Sequence, residues 1–192
     1  MVSAILVRHA ESEFSVRAAV SSDPAIAVGL TPAGEEQARA LGAALADEPI
    51  DVCVVTELER TRQTADLALE RRRVPIVVVP ELNDPRAGRF EGGPLDDLRA
   101  WSWARGSADE PPGGGESRLA LVSRLARGYR RVLDLPGETA LVVGHALPIA
   151  YVLGGPTPRI DMLDYVTPHR LERAELEAAV ERLEAWAAAP TW

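Results

Sequence analysis

The stretch Ala4-Ile5-Leu6-Val7-Arg8-His9-Ala10-Glu11-Ser12 sets the problem: an uninterrupted apolar run ends abruptly on a guanidinium and an imidazole. A strand covered on both faces reads as a continuous apolar run, whereas a strand with one wet face alternates. Three further runs share the character of the first: Val52–Thr56, Ile76–Val79 and Ala140–Gly144. Helix signals lie between them. Thr31 fits an N-cap, Pro32 the first helical position, and Glu35 and Glu36 the acidic first turn, with Leu41 and Leu45 continuing the apolar face. A second helix is expected over residues 58–72, a third from near Glu116, and a short one over 146–153. Leu176, Val180, Leu183 and Ala187 form one stripe of a docked surface helix over Leu171–Ala188, with His169 at the surface before it. Buried strands alternating with helices give an α/β fold: a three-layer sandwich whose mainly parallel sheet carries helices on both faces.

Composition narrows the function. A chain of 192 residues that is 46% hydrophobic can bury one sizeable core, so one domain over residues 1–192 is expected. A net charge of −8 argues against a nucleic-acid partner, which needs a basic face. The first apolar run is too short for a signal-peptide core or a membrane span, and Cys53 alone can form no internal disulfide; both suit the cytoplasm. Cys53 itself sits in Val52-Cys53-Val54-Val55 and reads as a small buried hydrophobe. The acidic face of the last helix speaks against membrane binding. All 21 basic residues are arginine, and lysine is absent. That removes a Walker A loop, a Schiff-base lysine and a lysine general base. Any anion must be held by guanidinium, histidine or backbone N–H groups.

The ends of the apolar runs carry the chemistry. His9 follows the first and His145 the fourth; Arg60 comes shortly after the second, and Glu81 and Asp84 after the third. In open α/β sheets, ligands bind at the carboxyl ends of the strands. Imidazoles, guanidiniums and a carboxylate converging there suit phosphoryl transfer. A neutral imidazole can attack phosphorus, arginine binds phosphate oxygens in a bidentate manner, and a carboxylic acid can protonate the departing oxygen. No His-x-x-x-His or Cys-x-x-Cys pair offers a zinc site, and no Gly-x-Ser-x-Gly elbow offers a serine nucleophile. Neither a metal nor a cofactor is expected. Gly113–Gly115 follows no strand and reads as part of a connector, Gly106–Gly115, rather than a phosphate cradle. Trp101 and Trp103 either roof a pocket for an apolar leaving group or pack the core of a small cap, the second being the commoner arrangement.

Five ordered blocks then resemble the histidine phosphatase superfamily, also called phosphoglycerate-mutase-like. They are Leu6-Val7-Arg8-His9-Ala10-Glu11-Ser12, Gly29–Ala38, Thr56–Ala65, Gly88-Arg89-Phe90-Glu91-Gly92 and Val142-Val143-Gly144-His145. The resemblance implies a histidine acid-type phosphatase that hydrolyses a small phosphomonoester through a phosphohistidine. His9 becomes the nucleophile, Arg8 and Arg60 phosphate clamps, and His145 the second phosphate-pocket histidine. The acid–base carboxylate falls on Asp84, with Glu81 as the alternative. Ser15 stands where many members place a phosphate-contacting asparagine, and Arg17 is an alternative ligand there; Arg62 is expected to face away. A cap is expected at about residues 86–115. A cofactor-dependent phosphoglycerate mutase and a non-catalytic phospho-ligand binder are the competing functions. The oligomeric state is open, a homodimer included.

Overall fold

The apolar runs pair with one another because only the interior of a sheet satisfies their backbone while covering both faces. In the computed structural model, which describes residues 1–157 and 163–192, the strands are β1 (Ser3–Arg8), β2 (Val52–Val55), β3 (Ile76–Val78), β4 (Thr139–Gly144) and β5 (Pro168–Glu172). The helices are α1 (Glu13–Val16), α2 (Pro32–Ala44), α3 (Glu59–Ala68), α4 (Leu95–Trp103), α5 (Arg118–Leu133), α6 (Ala146–Gly154) and α7 (Arg173–Ala188). Spatial order is β3-β2-β4-β1-β5, parallel throughout except β5, which runs antiparallel to β1.

Alternate side chains divide the core between the two faces. Ala4 and Leu6 point with Val54 and Val142 into a cluster completed by Leu125 and Tyr129 of α5, Ile149 of α6 and Leu176 and Val180 of α7. Ile5 and Val7 point with Cys53, Val55, Leu141 and Val143 toward Leu41 of α2 and Ala65 of α3. These are the three expected layers. Cys53 is fully buried, and burial pushes its thiol up to about 12, so it stays a protonated, inert core residue.

Two expectations about elements need correction. Ile76–Val78 is an edge strand rather than an inner one: Ile76 and Val77 are half-buried and Val78 is 42% exposed. Leu171 and Glu172 belong to β5 and not to a helix, so α7 begins at Arg173. His169, still ahead of the last helix, accordingly lies inside β5, half-buried and paired with Leu6. The alternation that marks an exposed edge strand is short here, and it merges into the amphipathic pattern of the helix that follows.

Register decides where the active groups emerge. Arg8 lies opposite Gly144, so the next residues, His9 and His145, leave the sheet side by side. Val54 lies opposite Val142, which brings Thr56 and the start of α3 to the same edge.

Candidate active site

The loop after β1 is fastened from both sides. The Ala10 N–H donates to Thr64 Oγ1 of α3 at 3.0 Å, and Thr64 Oγ1 donates to the Arg60 carbonyl at 2.7 Å. On the other side Thr31 caps α2 by accepting from the Gly34 N–H, its hydroxyl donates to Glu11 Oε1, and the Glu11 N–H donates to Gln37 Oε1. Gly34 is required by close approach: a Cβ there would stand 2.0 Å from the Glu11 carbonyl oxygen.

With the loop fixed, His9 is oriented by its own neighbour. Its Nδ1 lies 2.7 Å from the Ala10 carbonyl, an acceptor only, so Nδ1 carries the proton and Nε2 the lone pair. Nε2 faces the Arg60 guanidinium, whose Nε–H donates to it at 3.0 Å. Burial, reinforced by the charges of Arg60 and Arg8, holds the His9 pKa well below its usual 6.5. His9 is therefore neutral across the ordinary pH range.

Arg60 is the hub. Besides His9, it donates from Nη1 to Ser21 Oγ (3.0 Å) and from Nη2 to the Ser21 carbonyl and Asp84 Oδ2 (2.9 Å each), and Nη2 lies 3.2 Å from His145 Nδ1. The His145 ring lies 5.4 Å from that of His9, edge to face. Its Nε2 lies 3.0 Å from Thr56 Oγ1, and Thr56 Oγ1 lies 3.0 Å from Thr61 Oγ1, which donates to the Leu58 carbonyl. Burial and the same arginines depress the His145 pKa too.

Arg8 packs its guanidinium 4.0 Å from the centre of the Tyr165 ring and donates from Nη1 to the Leu163 carbonyl at 2.6 Å. Its Nε is buried without a hydrogen-bond partner among the described residues, an uncommon condition that an anion's oxygen would relieve. Two guanidiniums and two neutral imidazoles around one carboxylate make a locally positive site in an acidic chain.

Asp84 reaches the cavity and Glu81 does not. Asp84 lines it beside Arg60, and its Oδ2 stands 3.4 Å from His145 Nδ1. Withdrawal from water raises the Asp84 pKa, against the pull of Arg60. Glu81 turns outward to Arg131 at 3.3 Å. The turn carrying both is gripped by Arg124 of α5, which donates to the carbonyls of Glu81 (2.8 Å) and Asn83 (3.0 Å) while forking onto the buried Glu116 carboxylate (2.8 and 2.6 Å).

Ser15 lines the cavity, but its hydroxyl donates to the Ser12 carbonyl and accepts from the Ser12 N–H, both at 2.8 Å. Arg17 is exposed near Phe14 and is not among the lining residues; Arg62 is exposed and pairs with Asp66. Trp101 and Trp103 both line the cavity; Trp101 is half-buried with its ring 6.1 Å from that of Phe90, while Trp103 is 64% exposed and does not pack a cap core. Sequence reasoning assigned no role to Thr56, Thr61, Thr64, Ser21, Tyr165 or Arg124. Three of these threonines stand in the quoted block around Arg60, which was the available signal.

An α/β sheet that delivers paired histidines to its carboxyl edge is the phosphoglycerate-mutase-like fold. The chain belongs to the histidine phosphatase superfamily, branch 1, whose family model matches residues 4–188. It is 37% identical over 147 residues to the adenosylcobalamin/alpha-ribazole phosphatase of Salmonella typhimurium, covering 73% of this chain and 72% of that protein. It is also 35% identical over 158 residues to a 2,3-bisphosphoglycerate-dependent phosphoglycerate mutase of a Methylobacterium species, covering 73% and 74%. Among solved structures, the alpha-ribazole phosphatase of Shigella flexneri superposes with a TM-score of 0.73 at 28% identity, covering 88% of this chain and 89% of that one.

Proposed function

We propose that this enzyme is a phosphomonoester hydrolase that works through a phosphohistidine on His9. The observation that carries the reading is the fixed tautomer of His9, which presents an Nε2 lone pair beside Arg60. A phosphoryl oxygen is a stronger acceptor for a guanidinium than a neutral imidazole nitrogen. A bound phosphoryl group therefore draws the Arg60 N–H away and frees Nε2 to attack phosphorus. Arg8, Arg60 and His145 hold the equatorial oxygens as charge develops on them. As the P–N bond forms and the ester P–O bond breaks, Asp84 gives its proton to the departing oxygen. Asp84, now a carboxylate, takes a proton from water as that water attacks phosphorus, the P–N bond breaks, and phosphate leaves. Ser15 shapes the loop through Ser12 and borders the phosphate end. Residues 86–115 serve as the cap over the leaving group.

The enzyme is of the acid type because attack needs neutral His9 and departure needs protonated Asp84. A mutase with the same residues is the second reading, favoured by the relative of that name. The cavity, about 790 Å³, is generous for a three-carbon phosphate and fits hydrolysis of a larger metabolite better. Product analysis tests the choice: phosphate released from phosphomonoesters supports hydrolysis, whereas phosphoglycerate isomerised without release overturns it. Labelled phosphate trapped on wild-type protein and absent from His9→Ala separates either enzyme from a mere binder.

A further inference from the structure

Besides the catalytic groups, the cavity is lined by Phe14, Leu95, Leu98, Trp101, Trp103 and Trp192. Indoles are rarely left open to solvent without a use, yet Trp103 is 64% exposed here. Trp192 comes from the other end of the chain. Its ring packs on Trp186, centroids 5.5 Å apart, and against the Arg118 guanidinium at 4.5 Å. Arg118 in turn donates to the Ser102 carbonyl, to Ser102 Oγ at 3.1 Å and to the Arg105 carbonyl at 2.6 Å, at the end of α4 that carries Trp101 and Trp103. One guanidinium thus fastens the tail indole to the helix bearing the other two. Arg118 Nη1 and Nη2 are engaged by those oxygens, its Nε is buried without a hydrogen-bond partner among the described residues, and Arg99, which also lines the cavity, donates to Asp96. Flat apolar surface is what the three indoles offer a ligand.

We propose that Trp192, together with Trp101 and Trp103, forms the wall that binds the leaving group and selects phosphomonoesters of flat, aromatic alcohols over those of small polyols. The inference rests on the hydrolase reading above. A stacked aromatic leaving group gains both buried area and ring–ring contact, and a polyol gains neither.

The test compares kcat/KM for 1-naphthyl phosphate and glycerol 3-phosphate in wild type, Trp192→Ala and Trp192→Phe. The expected result is a fall of about tenfold in the naphthyl-to-glycerol ratio for Trp192→Ala, carried mainly by KM, and recovery of most of it in Trp192→Phe. An unchanged ratio, or equal loss on both substrates, overturns the proposal. If wild type hydrolyses neither ester, the hydrolase reading has failed, and calorimetry then tests the wall alone. Naphthyl phosphate binding about tenfold more tightly than inorganic phosphate, an advantage lost in Trp192→Ala, supports it; equal binding overturns it.

Discussion

A single residue, His9, shows how environment fits an ordinary side chain for the nucleophilic role proposed for it. Its Nδ1–H is tied to the Ala10 carbonyl, and burial beside two guanidiniums keeps it unprotonated. Replacing it with alanine should lower turnover by about 10⁴-fold or more, with circular dichroism unchanged. The pH dependence follows from two shifts of opposite sense. Neutral His9 is required, and its pKa lies below 6.5, so the acid limb of kcat/KM falls below that value. The proposed mechanism requires protonated Asp84 for leaving, and burial raises its pKa above 3.8, so the alkaline limb falls above that value. Asp84→Asn should slow hydrolysis of alkyl phosphates about 10²- to 10⁴-fold, yet affect 4-nitrophenyl phosphate much less, since nitrophenolate departs without a proton. Equal losses on both esters would assign the acid elsewhere. The convergence of these groups was legible in the sequence because His9, His145 and Arg60 follow strand ends, and the roles proposed for them come from the family resemblance. Thr56 and Thr61 were not, because what they orient depends on a ring delivered by a strand far along the chain.

At the scale of elements, the turn after β3 matters most, since it carries Asp84. It is seated on α5 at Gly128, where an added Cβ would stand 2.7 Å from Leu82 Cδ2 and 2.9 Å from Glu81 Cβ. Gly128→Ala ought to stabilise an isolated helix by up to about 1 kcal/mol. Here the overpacking should outweigh that gain and destabilise the fold by about 1–3 kcal/mol, measurable by urea denaturation. Arg124 acts on the same turn. Arg124→Met removes the closer of the two arginines beside the buried Glu116 carboxylate, leaving only the exposed Arg86 at 3.9 Å, and releases three turn carbonyls, so a loss of about 3–5 kcal/mol is expected. The double change Arg124→Met with Glu116→Leu leaves no stranded charge and should recover much of that stability. Because the turn would remain loose, kcat on alkyl phosphates should stay low; full recovery of both would reduce the clamp to packing. Neither contact could be read from the letters. Gly128 sits inside a strongly helical stretch, and Arg124 is one arginine among 21.

For the whole molecule, the continuous apolar runs gave away a sheet buried on both faces, and the parallel β2-β4-β1 centre follows that reading. The edges were less legible: β3 kept an inner strand's composition at an outer position, and β5 is masked by the polarity of Pro168-His169-Arg170. The same burial that builds the site has a global cost that depends on pH. His9 and His145 are held well below 6.5 in the fold, while in the unfolded chain they titrate near it. As pH falls below about 6.5, the unfolded chain takes up these two protons and the native protein does not. Stability therefore drops as pH falls, by up to about 2.7 kcal/mol per pH unit for the pair, until the depressed native values are reached. Asp84 has the opposite sign: its raised native pKa favours the fold as pH falls through that value toward 3.8, which offsets part of the loss. Denaturant unfolding of wild type at pH 7, 6 and 5 should show this slope. His9→Asn, which cannot titrate, should remove about half of it. A slope unaffected by that replacement would mean that the His9 ring takes up its proton in the native site, and the neutral nucleophile would then need another explanation.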